Sequence, residues 1–409
     1  MSILGIEHVE FYVADLRASA APLCRDYGFT DAGPLDLGEH SGARSVLLRQ
    51  GTIALVLTTG HAAAAYLSRH GDGVASIAFR TDDVVKAFDQ AVAGGARPVA
   101  APSFTGGGGG GRSGGQRSGG QRNGGQRSGG RRNGGQRNSP GDRVGVAVVS
   151  GFGDVTHRLV ERAGSESAPS APSAPTAPSD LTAPSAPTAP SAPSAPSAPT
   201  GMFGALDHIA ICLPAGQIDP TVRLYRDAFG FADVFDERIE VNGQAMISKV
   251  VQDETGAVTF TLIEPDPSLE PGQIDEFLDR HGGAGVQHLA LRTADIARAV
   301  RALSGRGVEF LAAPAGYYRR LEPRLGALAI PVEVLRDVNV LADRDKWGEL
   351  FQIFTRSTHE RGTFFIELIE RRGALTFGSG NIKALYEALG EEQGSKAPAA
   401  PSAPSAAAE

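Results

Sequence analysis

Cysteine, tryptophan and long apolar runs are scarce in this chain of 409 residues. Its two cysteines, Cys24 and Cys212, do not form a pairing pattern. This argues against a disulfide-stapled secreted scaffold and favours a reducing compartment. No stretch approaches the roughly 18 apolar residues of a membrane span, and the first residues lack a secretory signal pattern. We therefore expect a cytoplasmic protein with no membrane partner.

Three stretches lack the apolar residues that a core requires. Residues 105–138 are almost only Gly, Arg, Gln, Ser and Asn, while 164–200 and 394–409 are dominated by Ala, Pro and Ser. The little apolar surface that these stretches could bury cannot offset the conformational entropy lost on folding, so we predict that they are disordered. The Gly/Arg segment holds seven Arg and no acid, so a net charge of −7 minus these seven leaves −14 elsewhere. An acidic folded part argues against nucleic acid as the main partner.

Four segments of the sequence occur twice in the same order. The pairs are 6–13 with 206–213, 23–29 with 224–231, 71–84 with 283–296, and 157–162 with 366–371. Such a series indicates an internal duplication. Strand and helix patterns in each copy predict an α+β fold of duplicated βαβββ modules that form two open barrel-like domains.

The composition shifts place the boundaries of these domains. The predicted units are a first domain at 1–163 with the Gly/Arg insert at 105–138, a linker at 164–200, a second domain at 201–393 and a tail at 394–409. In the second domain we predict strands at 257–265, 286–293, 350–355 and 363–370. We predict helices at 271–283, 294–307 and 381–393.

The two copies differ at three aligned positions. The second copy has His208, His288 and Glu367, and the first has His8, Ser76 and Arg158. Two neutral imidazoles and one carboxylate form the ligand set of non-heme Fe(II) oxygenases, which leaves positions open for substrate and O₂. A lone strand histidine is more often a core residue, but inward-facing residues of separate strands converge in a curved sheet. We predict a metal site in the second copy only, because Arg158 would repel a cation.

Glu370 is the alternative carboxylate. Its counterpart Glu161 persists in the first copy, which suggests a structural role for both. Strand alternation also places Glu367 and Glu370 on opposite faces, so we favour Glu367 as the ligand. Imidazole and carboxylate accept several divalent cations, so the residues alone leave the metal open.

Four motifs in the second half carry a resemblance to a known family. GVQHLAL, LFQIFT, FFIELIER and FGSGNIKALYEA occur in this order. With them, residues 203–393 resemble the 4-hydroxyphenylpyruvate dioxygenase family, which has the vicinal oxygen chelate (glyoxalase/dihydroxybiphenyl dioxygenase-like) fold. The first half is similar to that family's non-catalytic domain. The resemblance implies Fe(II) as cofactor, 4-hydroxyphenylpyruvate and O₂ as substrates, and His208, His288 and Glu367 as catalytic metal ligands.

The family has two branches that decarboxylate this substrate oxidatively. Dioxygenases form homogentisate, for tyrosine breakdown, whereas 4-hydroxymandelate synthases hydroxylate the benzylic carbon, as for a peptide building block. Dioxygenases typically have GNF and Pro-x-Asn where this chain has GNI, with Ile382, and Thr261-Leu262-Ile263. Both departures resemble the synthase branch, since a smaller Ile382 would let the ring shift. The alternatives are a volume-tolerant core substitution with homogentisate as product, or another aryl- or alkyl-pyruvate as substrate.

The resemblance also implies a substrate pocket. Its residues would be Ser248, Thr261, Gln273, Gln352, Phe365, Phe377, Asn381 and Ile382. The first three would meet the phenol and its water network, and Gln352 the carboxylate. Strand parity favours packing for Phe364 and an outer role for Gln287. The last helix, with Tyr386, would cover the cavity and exclude water.

Two other functional classes stay open. The same fold serves metal-free binding and resistance proteins, although the complete ligand set weighs against that reading. The Gly/Arg segment could bind RNA through charge and guanidinium stacking, but it lacks aromatic residues and we favour a solvated loop. The sequence leaves open whether the protein forms homo-oligomers.

Overall fold

A computed structural model describes residues 3–35, 42–105, 143–162, 201–241, 243–378, 380, 381 and 383. Nearly all of the Gly/Arg segment, the linker and the tail therefore lie outside the described residues. So do Ile382, Tyr386 and most of the predicted last helix. None of the described helices is long and apolar enough to cross a membrane.

Sixteen strands of the described residues form two sheets. The first sheet contains β1 (Ile3–Tyr12), β2 (Thr30–Pro34), β3 (Arg44–Gln50), β4 (Ile53–Thr59), β5 (Gly73–Thr81), β6 (Pro98–Thr105), β7 (Val144–Ser150) and β8 (Thr156–Arg162). The second contains β9 (Ala205–Cys212), β10 (Ala232–Val241), β11 (Gln244–Gln252), β12 (Thr259–Pro265), β13 (Gly285–Arg292), β14 (Leu341–Arg344), β15 (Glu349–Phe354) and β16 (Phe365–Arg372).

Nine α-helices and a 3₁₀ turn at His61–Ala63 connect the described strands. The helices are α1 (Leu16–Arg25), α2 (Ala64–His70), α3 (Val84–Ala93), α4 (Ile218–Phe229), α5 (Gln273–His281), α6 (Ile296–Ser304), α7 (Ala315–Arg319), α8 (Leu321–Leu325) and α9 (Val332–Asp337).

The two sheets have the same strand order. The orders are β2-β3-β4-β1-β5-β8-β7-β6 and β10-β11-β12-β9-β13-β16-β15-β14. Each sheet joins two four-stranded modules through a central antiparallel pair, β1 with β5 and β9 with β13. Each module closes on a parallel pair, such as β9 with β12 and β13 with β16. The predicted α+β fold of duplicated βαβββ modules is confirmed.

An apolar and aromatic core joins the two copies. The Phe79 ring of β5 lies 5.4 Å from Phe229 and 6.1 Å from Phe260 of the second copy. His157 of β8 is buried in the same cluster, with Nε2 2.9 Å from the Tyr225 hydroxyl. Because these contacts use one face of the second sheet, its other face is free to line a cavity. We call the face that carries His208 the inner face.

Glu161 and Glu370 have the same structural role in the two copies. Glu161 Oε2 accepts a hydrogen bond of 3.0 Å from Val84 N, which begins α3. Glu370 Oε2 accepts one of 2.8 Å from Ile296 N, which begins α6. Each carboxylate accepts a hydrogen bond from an amide that has no partner within its own helix. Its negative charge is also stabilised by the positive end of the helix dipole. Glu370 therefore serves a helix terminus.

Candidate metal centre and substrate pocket

His208, His288 and Glu367 meet on the inner face of the second sheet. Strand register brings them together, since Ala290 of β13 pairs with His208 of β9 and with Glu367 of β16. His288 precedes Ala290 by two residues and so shares its face. The two Nε2 atoms lie 3.4 Å apart. Glu367 Oε2 lies 3.3 Å from His208 Nε2 and 3.2 Å from His288 Nε2.

This geometry fits a first-row divalent cation. With metal–nitrogen and metal–oxygen bonds of about 2.1 Å, ligand atoms at right angles around the ion lie roughly 3.0 Å apart. The observed separations of 3.2 to 3.4 Å are close to that spacing. All three residues are buried. Among the residues that the structure describes, this is the group of His, Cys, Asp and Glu side chains that could hold a metal.

Outer hydrogen bonds orient both imidazoles. His208 Nδ1 lies 3.1 Å from Asp207 Oδ1, and His288 Nδ1 lies 3.2 Å from Gln287 Oε1. These acceptors assign the ring proton to Nδ1 and leave each Nε2 lone pair for a metal. Gln287 thus supports His288 from outside the ligand set.

Charge inside the cluster favours a cation. Burial acts to lower the pKa of His208, but Glu367 and Asp207 raise that pKa to about 9. Burial acts to raise the pKa of Glu367, but the charge and hydrogen bond of His208, with the bond from His288, lower it to about 2. A proton on His208 thus neutralises the Glu367 carboxylate in the metal-free protein. A bound cation would replace that proton.

An ion pair occupies the equivalent place in the first copy. Arg158 Nη2 lies 3.3 Å from Glu10 Oε2, and Thr58 donates to Glu10 Oε1 at 2.7 Å. All three are buried. The second copy has Ala210 where the first has Glu10. In the first copy an internal salt bridge therefore fills the space that the second copy leaves beside its candidate metal ligands.

Three predicted pocket residues lie on the inner face and are buried. Thr261 of β12 pairs with Ala210, and Ser248 of β11 pairs with Ile263. Gln352 of β15 pairs with Ile369, two residues beyond Glu367. Thr261 Oγ1 and Gln352 Oε1 have no hydrogen-bond partner within the described part of the chain. Buried polar atoms are rarely left unpaired, so these two are free for a ligand.

Two aromatic rings flank the metal ligands. Phe365 stacks on His288, with centroids 4.9 Å apart at 23°. Phe377 meets His208 edge-on, with centroids 5.4 Å apart at 90°. Phe364, for which parity favoured packing, lies 5.1 Å from Phe11 of the first copy. Phe365 and Phe377 are therefore beside the candidate site, and Phe364 joins the two copies.

The remaining predicted pocket residues lie farther from these contacts or are not among the described residues. Asn381 is buried, and its Oδ1 accepts from the Tyr317 hydroxyl at 2.6 Å and from Arg324 at 3.2 Å, whereas Nδ2 has no partner among described residues. Gln273 begins α5, is exposed, and lines a small pocket with Gln244 and Met246. Their contact with substrate stays a prediction, as does that of Ile382.

Strand β10 contributes residues that the sequence reading missed. The Phe235 ring lies 6.3 Å from Phe377. Glu237 pairs with Ser248 across β10 and β11 and so shares the inner face, and its Oε2 is buried without a partner in the described chain. Alternation of Phe235, Glu237 and Ile239 was the available signal.

Gly378 allows a close approach to Gln352. Its φ is +74°, and a Cβ there would lie 2.2 Å from Gln352 Oε1. The segment after β16 therefore passes directly against this pocket residue.

Two models of known protein families match this sequence. Residues 1–106 match the model described as hydroxyphenylpyruvate dioxygenase, N-terminal. Residues 205–320 match the glyoxalase/bleomycin resistance protein/dioxygenase superfamily.

Known proteins that align over nearly the whole chain support these two matches. The 4-hydroxyphenylpyruvate dioxygenase of Aspergillus fumigatus is 30% identical, over 96% of this chain and 93% of its own length. That of Xenopus tropicalis is 29% identical, over 95% and 91%. The structure of a substituted 4-hydroxymandelate synthase from Streptomyces coelicolor matches with a TM-score of 0.73 and 38% identity, covering 96% of this chain and 100% of that one. The chain belongs to the 4-hydroxyphenylpyruvate dioxygenase family, whose members are non-heme iron dioxygenases with two vicinal-oxygen-chelate domains.

Proposed function

We propose that this enzyme uses Fe(II) and O₂ to convert 4-hydroxyphenylpyruvate into 4-hydroxymandelate and CO₂. The observation that carries the proposal is the buried cluster of His208, His288 and Glu367, whose ligand atoms lie 3.2 to 3.4 Å apart. The 38% identity to 4-hydroxymandelate synthase over 96% of the chain supports the branch. The two unpaired cysteines are in keeping with a cytoplasmic location.

Different residues of the site have different roles in this reaction. Bound Fe(II) would supply the redox chemistry that activates O₂ and the coordination of a 2-oxo acid. Asp207 and Gln287 hold the two imidazoles through Nδ1, which leaves each Nε2 for the ion that the site would hold. Gln352 offers a buried amide beside the candidate ligands, and its NH₂ group can donate to the substrate carboxylate once the amide rotates.

The far part of the inner face suits a phenol. Thr261 Oγ1 and Glu237 Oε2 are buried without partners among the described residues, and Ser248 lies between their strands. The phenol hydroxyl can donate to the Glu237 carboxylate and accept from a hydroxyl side chain. Phe377 and Phe235 would then border the aromatic ring, which fits an aryl-pyruvate better than an alkyl one.

The product depends on which carbon is nearest to the activated oxygen. Ile382 in place of the usual Phe, and Thr261 in place of the usual Pro, support benzylic hydroxylation. The alternative product is homogentisate, and the curated relatives named as 4-hydroxyphenylpyruvate dioxygenases favour it.

The two products have the same formula, so mass alone does not distinguish them. We would incubate the Fe(II)-loaded protein aerobically with 4-hydroxyphenylpyruvate and record the proton spectrum of the product. A benzylic CH–OH signal with a para-substituted ring is the expected result. A trisubstituted ring, which marks homogentisate, would overturn the proposed branch. Ile382→Phe should shift the product toward ring oxidation, whereas the matched variant Ile382→Leu, which adds no ring, should not.

A further inference from the structure

Arg371, the last-but-one residue of β16, contacts both the metal site and the segment that follows it. Its Nε and Nη2 each donate to Asp207 at 2.8 Å. Asp207 in turn holds Nδ1 of His208 at 3.1 Å. Arg292 also donates to Asp207 Oδ2, from Nε at 3.0 Å and from Nη2 at 2.7 Å. The orientation of His208 therefore depends on a carboxylate that Arg371 and Arg292 fix together.

The other edge of the same guanidinium holds residues 374–377. Nη1 of Arg371 donates to Thr376 O at 2.6 Å and to Ala374 O at 3.2 Å. Its Cζ lies 5.0 Å from the centre of the Phe377 ring, within the range of a cation–π contact. Phe377 meets His208 edge-on at 5.4 Å. Arg371, Asp207, His208 and Phe377 thus form a closed ring of four contacts.

The duplication supplies an internal comparison. Arg162 is aligned with Arg371, and its Nε lies 2.7 Å from Glu7, the counterpart of Asp207. The ion pair is therefore part of the fold in both copies. The Arg162 side chain is 44% exposed, whereas Arg371 is 12% exposed beneath residues 374–377. Arg371 thus contacts residues 374–377 in addition to the ion pair that both copies share.

We propose that Arg371 is a positioning residue that couples the orientation of His208 to the seating of residues 374–377 over the site. A metal bound to His208 Nε2 would hold the imidazole in the orientation in which it contacts both Asp207 and Phe377, and so would hold Phe377 in place. A seated Phe377 in turn restrains His208. The inference rests on the proposed metal site and is independent of the product formed.

The variant Arg371→Lys distinguishes the effect of the positive charge from that of the planar guanidinium. A lysine keeps the positive charge beside Asp207 but cannot donate in a planar fork to Asp207 and Thr376 O together. Asp345 also accepts from Leu375 N and Thr376 N, at 2.7 and 2.9 Å, so the segment should loosen rather than detach. Arg162→Lys is the matched control in the first copy.

The test is amide hydrogen exchange of residues 374–378 in metal-free protein, with and without Fe(II) under argon, together with the Fe(II) dissociation constant. In the wild type Fe(II) should slow exchange of this segment. In Arg371→Lys we expect that slowing to fall several-fold and the dissociation constant to rise about 10-fold to 100-fold. Arg162→Lys should match the wild type in both.

Two results would overturn the inference in different ways. If Fe(II) binds the wild type and Arg371→Lys keeps the full metal-dependent protection, the coupling is wrong while the metal site stands. If the wild type binds no Fe(II), the proposed function fails as well. Should Arg371→Lys not fold, Phe377→Leu breaks the ring without touching the ion pair. That variant must lose metal-dependent protection, and unchanged protection would refute the coupling.

Discussion

Arg158 and Glu367 hold the same register position in the two sheets. Arg158 pairs with Ala78 on the central strand of the first sheet, and Glu367 pairs with Ala290 on that of the second. Arg158 meets the Glu10 carboxylate at 3.3 Å, while Glu367 meets two imidazoles at 3.2 and 3.3 Å. The same backbone thus supports an internal salt bridge in one copy and the proposed cation site in the other.

The chain should bind one equivalent of Fe(II), at the second copy. His208→Gln, His288→Gln or Glu367→Gln should weaken Fe(II) binding by more than about 100-fold, since even outer partners of metal ligands contribute 10-fold to 100-fold. Substrate-dependent O₂ uptake should disappear with it. Metal analysis after gel filtration and an oxygen electrode measure both. His8→Gln, at the aligned position of the first copy, is the control and should retain both; tight binding of a second equivalent would contradict the assignment.

The buried pair of Arg158 and Glu10 should behave as a unit. Arg158→Met leaves the Glu10 carboxylate buried without its cation, which costs about 3–5 kcal/mol. The double variant Arg158→Met, Glu10→Leu should recover most of this loss, because it removes both charges. Urea unfolding measures the free energies. A double variant as unstable as Arg158→Met alone would show that the loss comes from packing.

His157 should make the protein less stable in mild acid. Burial lowers its folded-state pKa to about 4, whereas the unfolded chain takes up the proton near pH 6.5. The stability contributed by the neutral ring is complete above pH 6.5 and is lost as pH falls from 6.5 to 4, by about 3 kcal/mol in total. In His157→Gln the pH-dependent loss should be smaller by that amount. The two proteins should show parallel stability curves above pH 7, and parallel curves below pH 6 would rule the role out.

Gly378→Ala should disturb Gln352. The new Cβ would lie 2.2 Å from Gln352 Oε1, on a residue with φ +74°. Gly216→Ala is a matched control, since Gly216 has φ +77° and nothing within 4 Å of such a Cβ. Both variants pay backbone strain of about 1–2 kcal/mol. Only Gly378→Ala should also lose kcat/KM, by about tenfold or more, and equal kinetics in the two variants would remove Gln352 from the pocket.

Glu237→Gln should weaken the preference for a phenol. A hydrogen bond to a charged group contributes about 1.5–3 kcal/mol, so KM for 4-hydroxyphenylpyruvate should rise roughly tenfold or more. KM for phenylpyruvate, which has no phenol hydroxyl, should hardly change. Asp236→Asn is the control, because Asp236 is exposed on the opposite face of β10. A parallel rise of both KM values would show a general effect on the pocket.

Alternating apolar segments of the second domain were predictable from the sequence. The prediction of strands at 286–293 and 363–370 corresponds to β13, Gly285–Arg292, and β16, Phe365–Arg372. Both strands are largely buried on both faces, so apolar residues occur on each face of the strand. By contrast β10 and β11 were not predicted, although charged and apolar residues alternate along DVFDERIEV as they do in a half-buried strand. The short helices α7 to α9 were not predicted either, because they have too few turns to show helical spacing of apolar residues in the sequence.

The candidate metal ligands could be singled out in the sequence because the duplication supplied a comparison. His208, His288 and Glu367 differ in chemistry from His8, Ser76 and Arg158 at aligned positions. Glu237 and Arg371 had no such signal. The role of Glu237 depends on how β10 is placed in the curled sheet, and that of Arg371 on where the chain passes after Arg372. Contacts of this kind are set by tertiary structure, so the alternation that indicates strand β10 does not by itself identify them.

The most direct test of the central claim follows both atoms of O₂ into the product. Protein loaded with one equivalent of Fe(II) would be given 4-hydroxyphenylpyruvate under ¹⁸O₂, and the product analysed by fragmentation. The account predicts one labelled oxygen in the new carboxylate and one in the benzylic hydroxyl of 4-hydroxymandelate, with both lost in Glu367→Gln. Label in a ring hydroxyl, or product without label, would contradict it.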